Sequence, residues 1–159
     1  MSVGAATTPV ELEVFARLLR AHASLRRRLE ARLLAEHGLT INDYETLLHL
    51  SHEPEGRMRR VDLAGRLVLT ASGVTRLLDG LEADGYVCKS PCPSDLRVTY
   101  AELTPAGRAC LDAAADSHVD AVRELVGERL DAGELASLSS LLARLPGGAD
   151  GAGEHCLPG

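Results

Sequence analysis

The sequence predicts a mainly α-helical protein that carries one small β-hairpin. Apolar residues recur at three- and four-residue steps along much of the 159-residue chain, which is the spacing of amphipathic helices. Only 3% of the residues are aromatic and tryptophan is absent, so the core must be built from Leu, Val and Ala. Leu and Ala favour helices. Two short segments, 86–89 and 98–103, instead alternate like strands around the turn-rich sequence SPCPSD.

A long N-terminal helix is predicted over residues 10–36. Pro9 suits the first turn of a helix because its missing N–H would be unpaired there. Gly38 is expected to end the helix as a C-cap. The apolar stripe of this helix consists of Leu12, Phe15, Leu18, Leu19, His22, Leu25, Leu29 and Leu33. We assign residues 1–8 to a flexible N-terminus and residues 9–37 to a helix of a dimerisation arm.

Residues 38–104 are predicted to form a winged helix-turn-helix lobe. A second helix starts after Thr40 or Asn42, either of which can cap it. A third, short helix covers residues 59–67, and Thr70 caps a fourth helix over residues 71–84, ahead of the hairpin. The inward-pointing residues of the third helix are expected to be Val61, Ala64 and Leu67. A short helix, a tight turn, a longer helix and a hairpin form a unit that can place one helix in a DNA groove.

Two further helices are predicted after the lobe. Thr104 and Pro105 open a fifth helix that runs to about residue 130, and a sixth covers residues 132–145. Residues 105–145 therefore complete the arm, and residues 146–159 are expected to be a flexible tail. The apolar stripes of the first, fifth and sixth helices exceed what the small lobe can cover. Two copies of the chain are therefore expected to pair through these helices as a homodimer.

The leading end of the fourth helix carries the residue types that read DNA bases. Ser and Thr can donate or accept hydrogen bonds, Ala can contact a thymine methyl group, and Arg can bind guanine through two parallel bonds. Arg76 is the only long donor on this face, so we expect it to dominate specificity. The residues expected to approach double-stranded DNA here are Thr70, Ala71, Ser72, Gly73, Thr75 and Arg76.

The segment LAGRLVLTASGVTRLLDGLEADGYV, followed by Pro91, Asp95-Leu96-Arg97 and LTPAGRACL, resembles the MarR family of bacterial transcriptional regulators. The resemblance extends over residues 10–145. It implies that Arg97, in the wing, enters the minor groove or binds backbone phosphate while Asp95 orients it. It also implies a two-fold dimer, in which the reading helices of the two copies face successive major grooves about 34 Å apart. Such a dimer would select a near-palindromic site. Lys89-Ser90 stands where family members often carry two arginines, which predicts weaker phosphate attraction.

The net charge of −6 argues against nucleic-acid binding when the whole chain is considered. The charge is unevenly distributed, however, and many of the acidic residues fall in the terminal helices, which need not approach DNA. The cations of the lobe are Arg57, Arg59, Arg60, Arg66, Arg76, Lys89 and Arg97. A basic face, with Lys89 among its DNA contacts, is therefore compatible with an acidic protein.

The family resemblance also implies a small ligand, often phenolic or otherwise aromatic, bound between the arm and the lobe. The residues that the sequence offers near this junction are His22, Arg26, Tyr44 and His49. A packing or surface role is an open alternative for each of them.

Cys88 and Cys92 suggest a second kind of response. A disulfide or a modification at either end of CKSPC would distort the wing and make the protein a redox-responsive regulator. Cys110 falls in an Ala- and Leu-rich helix and is expected to be a core residue. A winged-helix module that binds a protein instead of DNA is a further alternative.

Several other classes of function find no support in the sequence. The six histidines are scattered without metal-ligand spacing, and no phosphate loop, nucleophile elbow or HExxH motif is present. We therefore expect no metal, no cofactor and no enzymatic activity. No apolar run approaches the ~20 residues that cross a bilayer, and no secretory signal is apparent. A cytoplasmic location is expected from these features and from the sparse cysteines.

Overall fold

The computed structural model describes residues 9–148, which form six α-helices and a small antiparallel sheet. The helices are α1 (Val10–His37), α2 (Ile41–His52), α3 (Arg60–Leu67), α4 (Ala71–Ala83), α5 (Pro105–Val122) and α6 (Ala132–Leu142). The strands are β1 (Arg57–Arg59), β2 (Val87–Pro91) and β3 (Thr99–Leu103). The predicted fold class, mainly α with a small β wing, is confirmed. Residues 1–8 and 149–159, which the sequence predicts to be flexible, lie outside the described residues.

Local capping explains where the helices of the lobe begin. Thr40 forms a capping box with Asp43, whose carboxylate accepts a hydrogen bond from the Thr40 backbone N–H at 2.8 Å. In return, the Thr40 hydroxyl accepts one from the Asp43 N–H at 3.1 Å. Gly38 ends α1 in the left-handed conformation, with φ of 67°. These caps satisfy backbone groups that the helix ends would otherwise leave unpaired.

The sheet has the strand order β1-β3-β2, with both pairings antiparallel. The hairpin of β2 and β3 is the predicted wing, although its strands lie at 87–91 and 99–103 instead of 86–89 and 98–103. The strand β1 was not predicted; it lies directly before α3, and its Met58 pairs with Ala101 of β3. The third helix accordingly begins at Arg60 and not at residue 59.

The core of the lobe is built from leucine, as the composition predicts. Leu47, Leu48, Leu63 and Leu78 are fully buried, and Leu33 joins them from the C-terminal end of α1. One prediction about this core is wrong: the side chain of Val61 is 69% exposed, and Leu63 and Leu67 are the buried residues of α3. Leu67 is buried as predicted and Ala64 packs, partly buried, against the core, so only Val61 is misplaced.

A close contact joins α5 to the connection between α4 and β2. The Thr104 hydroxyl caps α5 by accepting from the Gly107 N–H at 3.0 Å, and it donates to the Gly85 carbonyl just beyond α4 at 2.6 Å. A Cβ atom at Gly107 would lie 2.0 Å from the carbonyl oxygen of Tyr86. Only glycine permits this approach, so the start of α5 is held directly against the connection between α4 and β2.

The C-terminal helices are shorter than the sequence predicts. Instead of running to residue 130, α5 ends at Val122 and continues as a π-helical turn, Arg123–Gly127. The last helix ends at Leu142 instead of residue 145. Within residues 9–148, no helix is both long and apolar enough to cross a membrane.

Candidate nucleic-acid interface

The leading end of α4 is exposed and organised by Thr70. Its hydroxyl accepts from the Gly73 N–H at 3.1 Å and lies 3.2 Å from the Ser72 hydroxyl. Ala71, Ser72 and Arg76 are exposed, whereas Val74 on the opposite face is fully buried. The cap thus fixes the first turn of α4 and leaves small polar side chains and one guanidinium facing outward.

Thr75 and Arg76 differ in how firmly they are held. The Thr75 hydroxyl donates to the Ala71 carbonyl at 2.9 Å and lies 3.5 Å from a guanidinium nitrogen of Arg60. Arg76, in contrast, forms no ion pair with any residue between positions 9 and 148. Its donors are therefore available to a ligand of opposite charge.

The turn that delivers α4 contains a strained residue. Val68 adopts the left-handed conformation, with φ of 54° and ψ of 42°, and its side chain is 89% exposed. A β-branched residue is rarely found in this region because its Cβ crowds the backbone. The conformation lets the Val68 and Leu69 N–H groups cap α3, and α4 begins only four residues after α3 ends.

The wing ends in a closed turn from which Arg97 projects. The Asp95 carboxylate accepts from the Arg97 backbone N–H at 3.0 Å and from its Nε at 3.2 Å. The guanidinium holds the pKa of Asp95 below its usual value. The Arg97 side chain is nevertheless 92% exposed. The predicted pairing of Asp95 with Arg97 is therefore present, with most of the cation facing solvent.

Lys89 has different surroundings from Arg97. Its ammonium forms ion pairs with Asp79 and Glu82, both on α4, and the lysine side chain is only 27% exposed. These carboxylates raise the pKa of Lys89. The structure thus directs this cation at the helix and not at open solvent, an arrangement that the sequence did not reveal.

Most other cations of the lobe are also paired. Arg59 binds Asp62, Arg66 binds Glu53, and Arg57 binds Glu55 while lying over the ring of Tyr100 at 5.1 Å. Surface pairs of this kind are weak, so their cations can exchange partners. The basic face is therefore less basic than the count of arginines suggests.

The four residues predicted near the ligand junction have different surroundings. Tyr44 and His49 belong to the buried face of α2, whereas His22 is exposed on α1. Arg26 connects α1 to α2 by binding Glu45 at 3.3 Å and by a hydrogen bond to Asn42. The ring of Tyr44 lies 4.5 Å from that of His118, a buried residue of α5 that sequence reasoning did not single out.

A groove of about 410 Å³ lies elsewhere, along the arm. It is lined by Ala21, Ser24, Leu25, Arg28, Leu125, Val126, Arg129, Leu130 and Leu138. None of the four predicted ligand residues contributes to its lining. Its walls belong to α1, the π-helical turn and α6, which carry the apolar surface predicted to pair with a second copy.

The wing cysteines cannot form a disulfide with each other in this fold. Cys88 lies in β2 and Cys92 directly follows it, so four extended residues separate their Cα atoms by about 13 Å. A disulfide needs roughly 7 Å or less. Both thiols are free, and a hydrogen bond with Ser94 lowers the pKa of Cys92. Cys110 packs, half-buried, against the core as expected.

The fold and the exposed side chains define the class of protein. A capped helix presented after a tight turn, with an arginine-tipped wing beside it, is the architecture of a winged-helix DNA-binding protein. The sequence profile of the MarR family matches residues 39–99, which span most of this lobe.

Similar proteins extend the match beyond the lobe. The HTH-type transcriptional regulator MhqR of Bacillus subtilis (strain 168) is 28% identical over 120 residues, covering 75% of this chain and 80% of that protein. The transcriptional repressor YetL of the same organism is 32% identical over 64% of this chain and 60% of its own length. The crystal structure of Sco3205, a MarR family regulator from Streptomyces coelicolor in complex with DNA, is 31% identical, with a TM-score of 0.81 and 92% coverage of both chains. The present chain belongs to the MarR family of transcriptional regulators.

Proposed function

We propose that this regulator is a homodimeric repressor that binds a near-palindromic operator and responds to a small aromatic or phenolic ligand. In this proposal residues 38–104 are the DNA-binding lobe, and residues 9–37 and 105–145 form the dimerisation arm. YetL is named a repressor, and Sco3205 was crystallised with DNA. Both relatives support the proposal of a repressor that binds DNA.

We propose that α4 is the recognition helix. The observation that carries this assignment is the exposed, capped first turn of α4 together with the 92% exposed side chain of Arg97 in the wing. Arg76 would bind guanine in the major groove, and Arg97 would enter the minor groove or bind phosphate under the orientation of Asp95. The other residues proposed to contact DNA are Thr70, Ala71, Ser72, Gly73 and Thr75.

The proposed dimer is supported by apolar side chains that the single chain leaves exposed. On α1, Val10, Val14 and Phe15 are 66%, 58% and 58% exposed, and Leu141 on α6 is 57% exposed. Side chains of this size are expected to bury their surface when a partner is available. A two-fold pairing through the arm would also present two copies of α4 to successive turns of DNA.

The proposed ligand response is supported by the connection between the arm and the lobe. Arg26 of α1 binds Glu45 and Asn42 of α2 across this boundary. A ligand acid that competed for the guanidinium would loosen the lobe from the arm and change the spacing of the two recognition helices. An aromatic carboxylate or a phenolate has the charge for this competition.

Selection of bound fragments from genomic DNA by the purified full-length chain tests the proposal. We expect enrichment of one near-palindromic sequence, and a loss of its retention when aromatic acids are added. Double substitution of Arg76 and Arg97 by alanine should abolish the enrichment. If the original protein recovered fragments of random sequence, as the double variant is expected to do, sequence-specific binding would be contradicted.

A further inference from the structure

We infer that Lys89 is a positioning residue, which fixes the wing against the recognition helix α4 and does not itself bind DNA phosphate. This inference rests on the proposed DNA contacts of α4 and Arg97. It reassigns Lys89, which the sequence suggested as one of the phosphate-binding cations.

The first support is the geometry of the ammonium group. The Nζ atom of Lys89 lies 3.0 Å from a carboxylate oxygen of Glu82 and also binds the carboxylate of Asp79. Asp79 and Glu82 are three residues apart on α4, so their side chains project from the same face of the helix. One lysine of the wing therefore pairs with carboxylates on two adjacent turns of α4, the helix proposed to read DNA.

The second support comes from the main chain. The second carboxylate oxygen of Glu82 accepts a hydrogen bond from the backbone N–H of Lys89 at 3.3 Å. Because β2 is an edge strand in the order β1-β3-β2, one of its sides has no neighbouring strand among residues 9–148. Glu82 thus holds both the backbone and the side chain of the same wing residue, which fixes the strand in two places.

The third support is the local charge. Asp79 and Glu82 together with the single ammonium of Lys89 leave one net negative charge at this spot. A phosphate would have to displace two carboxylates and would be repelled by them. Arg97 differs in both respects, because it has one carboxylate partner and a far more exposed side chain. The two wing cations thus have separate roles, one internal and one directed outward.

Hydrogen exchange of the DNA-free protein tests the positioning role directly. Lys89→Met keeps the aliphatic stem and removes the charge, and we expect the amides of β2 and the wing turn to exchange at least about fivefold faster. Lys89→Arg should restore slow exchange, whereas Arg97→Ala, the matched control, should leave the β2 amides unchanged. A melting transition like that of the original protein shows that Lys89→Met is folded. Unaltered exchange in a folded Lys89→Met protein overturns the inference.

The salt dependence of DNA affinity provides the second readout. A residue that binds phosphate contributes about one unit to the slope of log affinity against log salt concentration. We expect Lys89→Met to weaken binding about tenfold with the slope unchanged, and Arg97→Ala to reduce the slope by about one. A reduced slope for Lys89→Met would overturn the positioning role. If the original protein binds no duplex, the proposed function fails, while hydrogen exchange still decides the role of Lys89.

Discussion

The carboxylate of Asp95 accepts hydrogen bonds from both the backbone N–H and the guanidinium of Arg97, at 3.0 and 3.2 Å. The first bond holds the backbone at Arg97, and the second sets the direction of its side chain, which is otherwise surrounded by solvent. The proposed DNA contact of Arg97 would therefore start from an oriented side chain, so less conformational entropy would be lost on binding. This relationship makes Arg97 the most informative single position for testing DNA binding.

Arg97→Ala is expected to weaken binding to every duplex by about tenfold or more, because it removes a contact that carries no sequence information. Fluorescence anisotropy with the selected operator and with a scrambled duplex measures both affinities. Arg123→Ala is the control, since Arg123 is an exposed arginine of the arm that pairs with Asp120. An Arg97→Ala protein with the affinity of this control would refute the assigned contact.

Phe15→Glu is expected to convert the proposed dimer to a monomer. The Phe15 side chain is 58% exposed on the apolar face of α1, and a carboxylate there would be buried without a partner on pairing. Sedimentation velocity at micromolar concentration measures the change. Leu96→Glu replaces a more exposed residue of the wing and should remain dimeric. Dimers of equal stability in both variants would show that α1 lies outside the interface.

Val68→Asn is expected to raise the free energy of unfolding by about 1 kcal/mol. Asparagine tolerates the left-handed conformation, whereas the branched side chain of valine is strained there. Urea denaturation measures the difference. Val61→Asn is the matched control, because Val61 is also an exposed valine but occupies a helical position in α3, where asparagine has no advantage. An equal change in both variants would mean that Val68 stores no strain.

Gly107→Ala is expected to lower the free energy of unfolding by about 3 kcal/mol, since its Cβ would overlap the Tyr86 carbonyl. Gly65→Ala should instead raise it by up to about 1 kcal/mol, because Gly65 lies within α3 with nothing within 4 Å of a new Cβ. Chemical denaturation of the two variants side by side measures this contrast. Equal stabilities would refute the close approach of α5 to the connection between α4 and β2.

Acid should weaken the native state through His118. Burial against Tyr44 lowers the pKa of the His118 imidazole below its ordinary value of about 6.5. The unfolded chain therefore binds a proton before the folded chain does, and the free energy of unfolding falls as pH drops below about 6.5 towards the folded-state pKa. We expect His118→Phe to flatten this dependence in urea titrations between pH 8 and pH 5. His22→Gln, at an exposed site, should leave the dependence as steep as in the original protein.

The elements that the sequence predicts well are those fixed by local chemistry. Thr70, Thr104 and Gly38 occupy the caps expected of them because capping involves only residues within a few positions. The strand β1 was missed because three residues are too few for a periodic pattern, and its partner Ala101 lies more than 40 positions away. Val61 was misplaced because two helical turns give a weak indication of which face is buried.

The surroundings of the site residues were harder to predict than their positions. The family resemblance implied the pairing of Asp95 with Arg97, and these two residues lie only two positions apart. The partners of Lys89 depend on how β2 crosses α4, and this crossing is set by tertiary packing. The same holds for Tyr44, whose contact with His118 brings together α2 and α5. The residue types therefore predicted that a cation and an aromatic ring would be present, but not which residues each of them contacts.

The hydroxyl of Thr104 has a consequence for how the two parts of the molecule move. It caps α5 and at the same time bonds the Gly85 carbonyl, one residue beyond the C-cap of α4. The C-terminal end of α4 and the N-terminal end of α5 are thus joined through one hydroxyl oxygen. In the proposed dimer, a tilt of α5 would be transmitted to α4 through this contact, so the arm would set the distance between the two proposed recognition helices.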